Sequence, residues 1–198
     1  MAGPRDAALP AAVGTVTDRG RREPSERALV RAAQGGSAVA MEELFRRHWP
    51  RAHRAAWLVV HDAAAAEDVA QEAFLAAVGA LERFDRRRPF GPWLHRIVVN
   101  RAIDYARARD VRREVPADAV AEAAAPAGAC HDAPSGELLG ALALLAPEQR
   151  AVIVLRHLLG YTPGEIAAIL GLPRGTVNSR LRRGLDALAG PLREEVRS

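Results

Sequence analysis

Apolar residues recur at helical spacing along two stretches of the chain, from Ser25 to about Arg113 and from Ser135 almost to the end. No segment shows the alternation of apolar and polar residues that is typical of a half-buried strand. The stretch between them is rich in Ala, Pro and Gly, and the first residues show no sustained period. The pattern predicts an all-α protein with two small helical domains, 25–113 and 135–192, joined by a flexible linker over 114–134, with a disordered tail at 1–24 and a short tail at 193–198.

Local signals divide the first domain into helices. Ser37 can cap a helix in which Pro50 either introduces a kink or starts the next helix. Asp62 is a suitable N-cap for a long helix that ends near the charged loop 84–89. Phe90 then opens another helix, which has a proline in its first turn, where no amide donor is needed.

The strongest local pattern lies at 162–188 and predicts a helix-turn-helix. Thr162 and Glu165 form a capping box, and Pro163 occupies the first helical position. Gly171 ends this short helix, and a turn of three to four residues leads into a longer one. Two apolar stripes are predicted to face each other, Ile166, Ile169 and Leu170 on the first helix and Val177, Leu181, Leu185 and Leu188 on the second.

The second helix of this unit carries polar and basic side chains on its outward arc. Arginine can pair with guanine edges or with phosphates, and Ser, Thr and Asn can do either, so the arc predicts a helix that enters a major groove of DNA. A solvated basic face on an ordinary helical hairpin is the alternative interpretation. The residues concerned are Arg174, Thr176, Asn178, Ser179, Arg180, Arg182 and Arg183.

Composition adds little to this and excludes several classes. The formal net charge is +4 and the sequence contains no lysine, so all 28 basic residues are arginine, which permits a nucleic-acid partner. The single cysteine excludes an internal disulfide framework, and no phosphate loop, metal-binding spacing or nucleophile motif is present. We therefore expect no enzymatic activity, no catalytic residue, no metal and no cofactor. With no apolar run long enough to span a bilayer and no secretory signal, we expect no membrane insertion and a cytoplasmic protein.

Two sets of motifs resemble those of the extracytoplasmic-function (ECF) sigma factors, within the primary-sigma superfamily of bacterial RNA polymerase. The first set is similar to family regions 2.2 to 2.4 and comprises Glu67–Phe74, Phe84, Phe90, Trp93–Asn100, Asp104 and Arg107. The second is similar to region 4 and comprises Leu145–Val152 and Gly175–Leu181. The resemblance covers about Arg27 to Leu192. It implies a protein that directs core RNA polymerase to specific promoters for transcription initiation, with region 2 in the first domain and region 4 in the second.

The resemblance also assigns a polymerase-binding surface to the helix that follows Asp62. Asp68 and Glu72 lie one turn apart on one side of that helix, and like charges at that spacing weaken an isolated helix, so a basic partner surface would relieve them. The implied partner is the pair of clamp helices of the beta-prime subunit, with the beta flap as a second contact for region 4. An ordinary solvated acidic face is the alternative. The implied clamp-binding residues are Asp68, Gln71, Glu72 and Leu75, opposite an inward stripe of Ala66, Ala70, Phe74, Ala77 and Leu81.

The resemblance further implies promoter DNA as a partner, both duplex and single-stranded. Region 4 would read the duplex minus-thirty-five element with the outward arc of the helix-turn-helix. The charged loop and the helix after it would recognise the minus-ten element and hold its melted strand. We favour core packing for Trp93, Leu94 and Ile97. The implied minus-ten residues are Arg86, Arg87, Arg88, Arg96, Asn100 and Arg107.

Several details stay open at this point. Asn178 stands where the family usually has lysine, and His95 replaces a more usual aromatic or basic residue. The linker corresponds to a family segment that threads towards the polymerase active centre or the RNA exit path, although its composition supports only a tether. Because ECF members are commonly held inactive by an anti-sigma factor, we expect one here. A stand-alone helix-turn-helix regulator of duplex operators is the rival, but it would not need the motifs of the first domain.

Overall fold

A computed structural model of the protein describes residues 24–113 and 136–195. Over these two ranges the chain is helical and contains no strand, as the periodicity predicts. The predicted linker lies outside the described residues, as does the predicted N-terminal tail apart from Pro24. The helices form two groups, which we call the N-terminal domain (24–113) and the C-terminal domain (136–195).

The N-terminal domain contains four α-helices. They are α1 (Glu26–Gln34), α2 (Ala38–Val60), α3 (Ala63–Ala80), which continues in a short 3-10 turn (Leu81–Arg83), and α4 (Phe90–Arg113). The first three begin at side-chain caps, in which Ser25, Ser37 and Asp62 each accept a hydrogen bond from the amide three residues later. The predicted caps at Ser37 and Asp62 are confirmed.

Pro50 lies inside α2, which runs unbroken from Ala38 to Val60. Of the two alternatives left open by the sequence, a new helix at this proline is wrong. Proline has no amide to donate, but position 50 is exposed, so water can satisfy the carbonyl that loses its partner. The helix ends instead at His61, which adopts a left-handed conformation (φ 55°) and donates its amide to the Trp57 carbonyl at 2.8 Å.

Small side chains allow α2, α3 and α4 to pack closely. The inward stripe predicted for α3 is confirmed, since all five of its members are buried. Phe74, the largest of them, lies against Phe45 of α2 with ring centroids 4.6 Å apart. Many positions in these helices that are wholly inaccessible to solvent are alanines, namely Ala52, Ala55, Ala56, Ala66, Ala70, Ala73 and Ala102.

The C-terminal domain also contains four α-helices. They are α5 (Gly136–Ala143), α6 (Pro147–Ile153), which continues in a π-helical turn (Val154–Leu158), α7 (Pro163–Leu170) and α8 (Arg174–Glu195). Helix α8 therefore extends three residues into the segment predicted as a C-terminal tail. Helix α8 packs against each of the other three helices of this domain.

The two domains are docked against each other, which the sequence did not predict. Helix α4 contacts α6 and α7, while α2 contacts α6 and its π-helical turn. The buried apolar residues of both domains form one continuous core. This docking brings elements of the two predicted DNA-binding surfaces close together.

Candidate nucleic-acid interface

Helix α3 presents an exposed surface that we call the acidic face, formed by Asp68, Gln71, Glu72 and Leu75. All four residues are exposed, and 72% of the surface of Leu75 is accessible. An exposed leucine flanked by carboxylates is the arrangement expected of a binding surface with an apolar centre and a charged rim. The fold therefore leaves the whole predicted polymerase-binding set available to a partner.

The carboxylates of the acidic face differ in their surroundings. Glu72 forms an ion pair with Arg101 of α4 at 3.3 Å, so the like-charge repulsion on α3 is relieved in part within the chain itself. Among the residues that the structure describes, Asp68 has no ion-pair partner. Asp68 is therefore the carboxylate of the acidic face whose charge the described part of the chain does not pair.

The segment between the 3-10 turn and α4 is a tight turn, which we call the basic loop (residues 85–89). The Asp85 side chain accepts a hydrogen bond from the Arg87 amide at 2.9 Å, and its carbonyl accepts one from the Arg88 amide at 2.9 Å. Arg86, Arg87 and Arg88 are exposed. The loop thus presents three guanidinium groups to solvent on a backbone held by Asp85.

The other predicted minus-ten residues lie on α4 with different exposures. Arg96 is exposed and Asn100 is half-buried. Arg107 is exposed, but it forms an ion pair with Glu148 of α6 and so is engaged by the other domain. Arg101 and Arg109, whose roles the sequence left open, are paired with Glu72 and Asp62 respectively.

The apolar residues at the start of α4 pack beneath the predicted minus-ten residues. Leu94 is fully buried, as predicted. Trp93 and Ile97 are only partly buried, and the Trp93 ring packs against Phe84 with centroids 4.6 Å apart. The expectation of core packing is therefore confirmed for Leu94, and the other two residues lie at the edge of the core.

Helices α7 and α8 form the predicted helix-turn-helix. The Thr162 hydroxyl accepts a hydrogen bond from the Glu165 amide at 3.3 Å, and the Glu165 carboxylate accepts one from the Thr162 amide at 2.8 Å, which completes the capping box. Gly171 ends α7 with φ 66°, a left-handed conformation that glycine adopts without a side-chain penalty. The local pattern thus determined both ends of α7.

The predicted apolar stripe of α8 is correct at three positions and wrong at the fourth. Val177, Leu181 and Leu188 are buried, but Leu185 is 43% exposed. Leu185 follows Val177 by eight residues, which places it about 80° around the helix, whereas position 184 returns to the same side. Gly184 occupies that position and lets α8 approach α6 so closely that a Cβ there would lie 2.6 Å from the Ile153 side chain.

The predicted minus-thirty-five residues divide into two groups by exposure. Ser179 donates its hydroxyl to the Thr176 carbonyl at 3.0 Å, so only its lone pairs are left for a ligand. Arg180 lies near Glu148, and its positive charge helps to lower the pKa of that carboxyl group at the domain junction. The exposed group comprises Arg174, Asn178, Arg182 and Arg183, and the half-buried group comprises Thr176, Ser179 and Arg180.

A buried arginine holds the two domains together. Arg150 of α6 is only 5% exposed, and it donates to the Val59 carbonyl of α2 at 2.7 Å and to the Leu145 carbonyl at 3.1 Å. The contact to Val59 joins residues 91 positions apart in the sequence. Periodicity and capping rules describe neighbours along the chain, so they did not indicate this contact.

A second junction contact joins His95 of α4 to Tyr161, which precedes α7. The His95 Nδ1 and the Tyr161 hydroxyl are 2.7 Å apart. Nearby, the Arg96 guanidinium approaches the turn of the helix-turn-helix, where a Cβ on Gly171 would lie 3.9 Å from it. The docked arrangement therefore places the helix-turn-helix against one end of the predicted minus-ten surface. His95, noted in the sequence only as a departure from the family pattern, is part of this junction.

We expect Arg150→Met to loosen the docking of the two domains. The substitution keeps most of the apolar volume but leaves two buried carbonyls without their donor, at a cost of about 2–4 kcal/mol in the free energy of unfolding. Small-angle X-ray scattering should show an increased radius of gyration, and chemical denaturation should show the loss of stability. Arg31→Met, at an exposed position of α1, is the control. An unchanged radius of gyration would contradict a role for Arg150 in docking.

The junction histidine is held in its neutral form. Burial lowers the pKa of His95 to about 4, and the charges of His48 and Arg51 act in the same direction. Burial also raises the pKa of Tyr161 to about 12, with a further contribution from Glu165. The pair therefore meets as a neutral imidazole and a neutral phenol near pH 7.

Acid should weaken the docked structure. Because the folded-state pKa of His95 lies below its ordinary value of 6.5, its contribution to stability is complete above pH 6.5 and is lost as pH falls towards 4. We expect His95→Gln to remove about 2 kcal/mol of the fall in unfolding free energy between pH 7 and pH 4.5. Denaturation at a series of pH values measures this difference. His61, whose pKa burial also lowers to about 4, remains in both proteins and cancels in the comparison. Parallel curves for the two proteins would refute the prediction.

Two other classes of site are absent from the described ranges. No group of three or more His, Cys, Asp or Glu side chains there is arranged to hold a metal ion. None of the helices in these ranges combines the length and apolar character needed to cross a membrane.

The family models that match the chain divide it as the fold does. A model described as Sigma-70 region 2 matches residues 44–112, and one described as Sigma-70, region 4 matches residues 135–188. The first match begins within α2 and runs almost to the end of α4, and the second runs from the start of α5 to Leu188 in α8. The two predicted motif sets fall inside these matches.

Curated relatives align over most of the chain. The ECF RNA polymerase sigma factor SigM of Mycobacterium tuberculosis is 35% identical over 170 residues, which is 86% of this chain and 86% of SigM. The RNA polymerase sigma-E factor of Streptomyces coelicolor is 34% identical and covers 81% of this chain and 88% of its own. The RNA polymerase sigma factor CarQ of Myxococcus xanthus is 37% identical, with 81% and 95% covered.

Two solved structures share the fold. CnrH in complex with the cytosolic domain of CnrY aligns with a TM-score of 0.65 and 30% identity, over 85% of this chain and 97% of CnrH. The sigma factor RpoE of Bartonella quintana, in complex with the anti-sigma factor NepR, aligns with a TM-score of 0.61 and 25% identity, over 77% and 96%. Each alignment covers more of this chain than either domain alone, so both domains contribute to it.

Proposed function

This chain belongs to the extracytoplasmic-function (ECF) family of RNA polymerase sigma factors, which direct core RNA polymerase to promoters, and we propose that three of its surfaces bind different partners. The acidic face binds the clamp helices of the beta-prime subunit, and the C-terminal domain makes a second contact with the beta flap. The basic loop and the outer side of α4 recognise the minus-ten element and hold its melted strand. The exposed side of α8 reads the minus-thirty-five element as duplex.

One observation carries this proposal: the three sets of residues lie on separate surfaces, with separate chemistry, in one chain. The acidic face is an exposed leucine among carboxylates and suits a protein partner. The basic loop exposes three arginines on a tight turn, and α8 exposes four polar or basic side chains from its N-terminus onwards. The protein itself supplies no covalent chemistry in this proposal, since the polymerase carries out RNA synthesis, and we place its activity in the cytoplasm with that partner.

Promoter binding requires the two domains to separate. The minus-ten and minus-thirty-five elements are about 25 base pairs apart, which is about 85 Å along B-form DNA. In the docked arrangement His95 and Tyr161 are 2.7 Å apart and Arg107 is paired with Glu148, so the domains that carry the two DNA-binding surfaces are held in contact. We infer that binding to polymerase and DNA replaces the junction contacts, after which Arg96 and Arg107 become available to the minus-ten strand.

An anti-sigma factor is the expected regulator. Two of the solved structures that resemble this chain are CnrH with the cytosolic domain of CnrY and RpoE with the anti-sigma factor NepR. We infer that a comparable partner binds this chain and stabilises a state in which its polymerase-binding and DNA-binding surfaces are covered. The docked arrangement, with Arg107 already engaged, supports the covering of the minus-ten surface, and the partner itself would cover the exposed acidic face.

Transcription from genomic DNA with core RNA polymerase tests the proposed function. With this protein added, mapped RNA start sites should share paired upstream elements that are absent without it. Initiation should fall steeply as salt rises, because phosphate contacts release counterions. Unchanged start sites would contradict the proposal, as would tight, sequence-specific duplex binding by the free protein together with no effect on polymerase.

A further inference from the structure

Helix α1 contacts both ends of the basic loop, although it belongs to none of the three functional surfaces. Its last residue, Gln34, donates through Nε2 to the Leu81 carbonyl at 2.8 Å and to the Phe84 carbonyl at 3.0 Å. Phe84 immediately precedes the loop, and Leu81 is the first residue of the 3-10 turn before it. A single amide group from a distant helix thus holds the backbone on the entry side.

The first residue of α1 holds the exit side. Glu26 accepts a hydrogen bond at Oε1 from the Phe90 amide, the first amide of α4, at 3.1 Å. Residue 89 is a proline, which offers no side-chain acceptor for the start of that helix. Because the amino end of a helix carries unpaired amides and partial positive charge, a carboxylate there is favourable. Glu26 therefore caps α4 from another helix.

The Glu26 side chain is itself fixed. Its second oxygen, Oε2, lies 3.1 Å from Nε2 of His48, a partly buried residue of α2. The His48 ring also packs against Phe90, with centroids 5.1 Å apart. Below the loop, Phe84 and Phe90 meet edge to face, with centroids 5.8 Å apart. The ends of the loop are therefore immobilised while the three arginines at its tip stay exposed.

We propose that Gln34 and Glu26 are positioning residues for promoter recognition, which fix the basic loop in the conformation that discriminates minus-ten sequences. This inference rests on the proposed function of the loop. A loop held at both ends gives up little additional conformational freedom when it binds, and its arginines approach the strand from defined positions. A loop released at either end still carries the same charge, so it attracts DNA but discriminates less between bases.

The test compares Gln34→Ala, Gln34→Glu, Glu26→Ala and Glu26→Gln, each assembled with core RNA polymerase. Initiation is measured on the preferred promoter, on a promoter with a substituted minus-ten element and on one with a substituted minus-thirty-five element. Glu42→Gln, an exposed position of α2, is the matched control. Affinity for core polymerase and melting temperature are measured for every variant.

The expected result is a selective loss. Gln34→Ala should reduce discrimination against the substituted minus-ten element about tenfold, the size of one base contact, and leave minus-thirty-five discrimination unchanged. Gln34→Glu should lose at least as much, because a carboxylate cannot donate to the two carbonyls. Glu26→Gln should retain most discrimination, since an amide oxygen still accepts from the Phe90 amide, whereas Glu26→Ala should not.

Other results would overturn the inference in distinguishable ways. Equal losses at both promoter elements, or a loss that follows melting temperature across all four variants, would indicate a merely structural role. Full discrimination in Gln34→Ala and Glu26→Ala, together with its loss when Arg86, Arg87 and Arg88 are replaced by Ala, would refute positioning but leave the proposed function intact. If the triple arginine variant also discriminates normally, the loop does not read the minus-ten element and both ideas fail.

Discussion

The double variant Asp68→Arg, Glu72→Arg should bind core RNA polymerase at least about 100-fold more weakly than the native protein. Losing one partner of a desolvated charge pair at an interface costs about 2–5 kcal/mol, and reversal adds repulsion. Both carboxylates are exposed on the acidic face, so the folded chain offers them directly to a basic surface. Titration of fluorescently labelled protein with core polymerase measures the change.

The structure shows which single variant separates binding from folding. Glu72→Arg also breaks the ion pair with Arg101, whereas Asp68 has no ion-pair partner among the described residues. Asp68→Arg alone should therefore lose most of the affinity with an unchanged melting temperature. The matched control is the double variant Glu42→Arg, Glu82→Arg, because both positions are exposed and the change in net charge is the same. Equal affinity losses in the control would attribute the effect to overall charge and contradict a specific acidic face.

The double variant Arg182→Ala, Arg183→Ala should lose about 10- to 100-fold in affinity for promoters that depend on the minus-thirty-five element. Both side chains are exposed on α8 and available to phosphates or base edges. If both contact phosphates, the slope of log affinity against log salt should become shallower by about two. Holoenzyme binding to promoter fragments at several salt concentrations measures both quantities.

A promoter with a substituted minus-thirty-five element supplies the internal control for this variant. On that promoter the double variant should lose less affinity than on the native one, because base contacts of these arginines are already lost there while phosphate contacts remain. Arg31→Ala with Arg46→Ala removes the same charge from exposed positions of α1 and α2. If the α8 variant loses equally on both promoters, Arg182 and Arg183 contact only phosphates, which would contradict base readout by these two arginines.

Much of the local structure was determined by the sequence. Capping side chains and proline and glycine positions act within a few residues, so they predicted the starts of α2, α3 and α7 and the glycine end of α7. Helical periodicity likewise predicted the buried stripe of α3 and the exposure of the acidic face on its opposite side. Where the period was assigned one position off, as at Leu185, the neighbouring Gly184 held the contact instead.

The tertiary structure alone decided which distant residues meet. Arg150 reaches the Val59 carbonyl, Gln34 holds the entry to the basic loop, and Arg101 pairs with Glu72, across separations of 91, 47 to 50 and 29 residues. Local patterns state which side of a helix is apolar but not which helix covers it or at what angle. Polar contacts between helices depend on that relative placement to within about an ångström, because hydrogen bonds weaken steeply with distance and angle. The exposed sides of α3 and α8 were therefore largely predictable from residue order, whereas the docking between domains and the support of the loop were not.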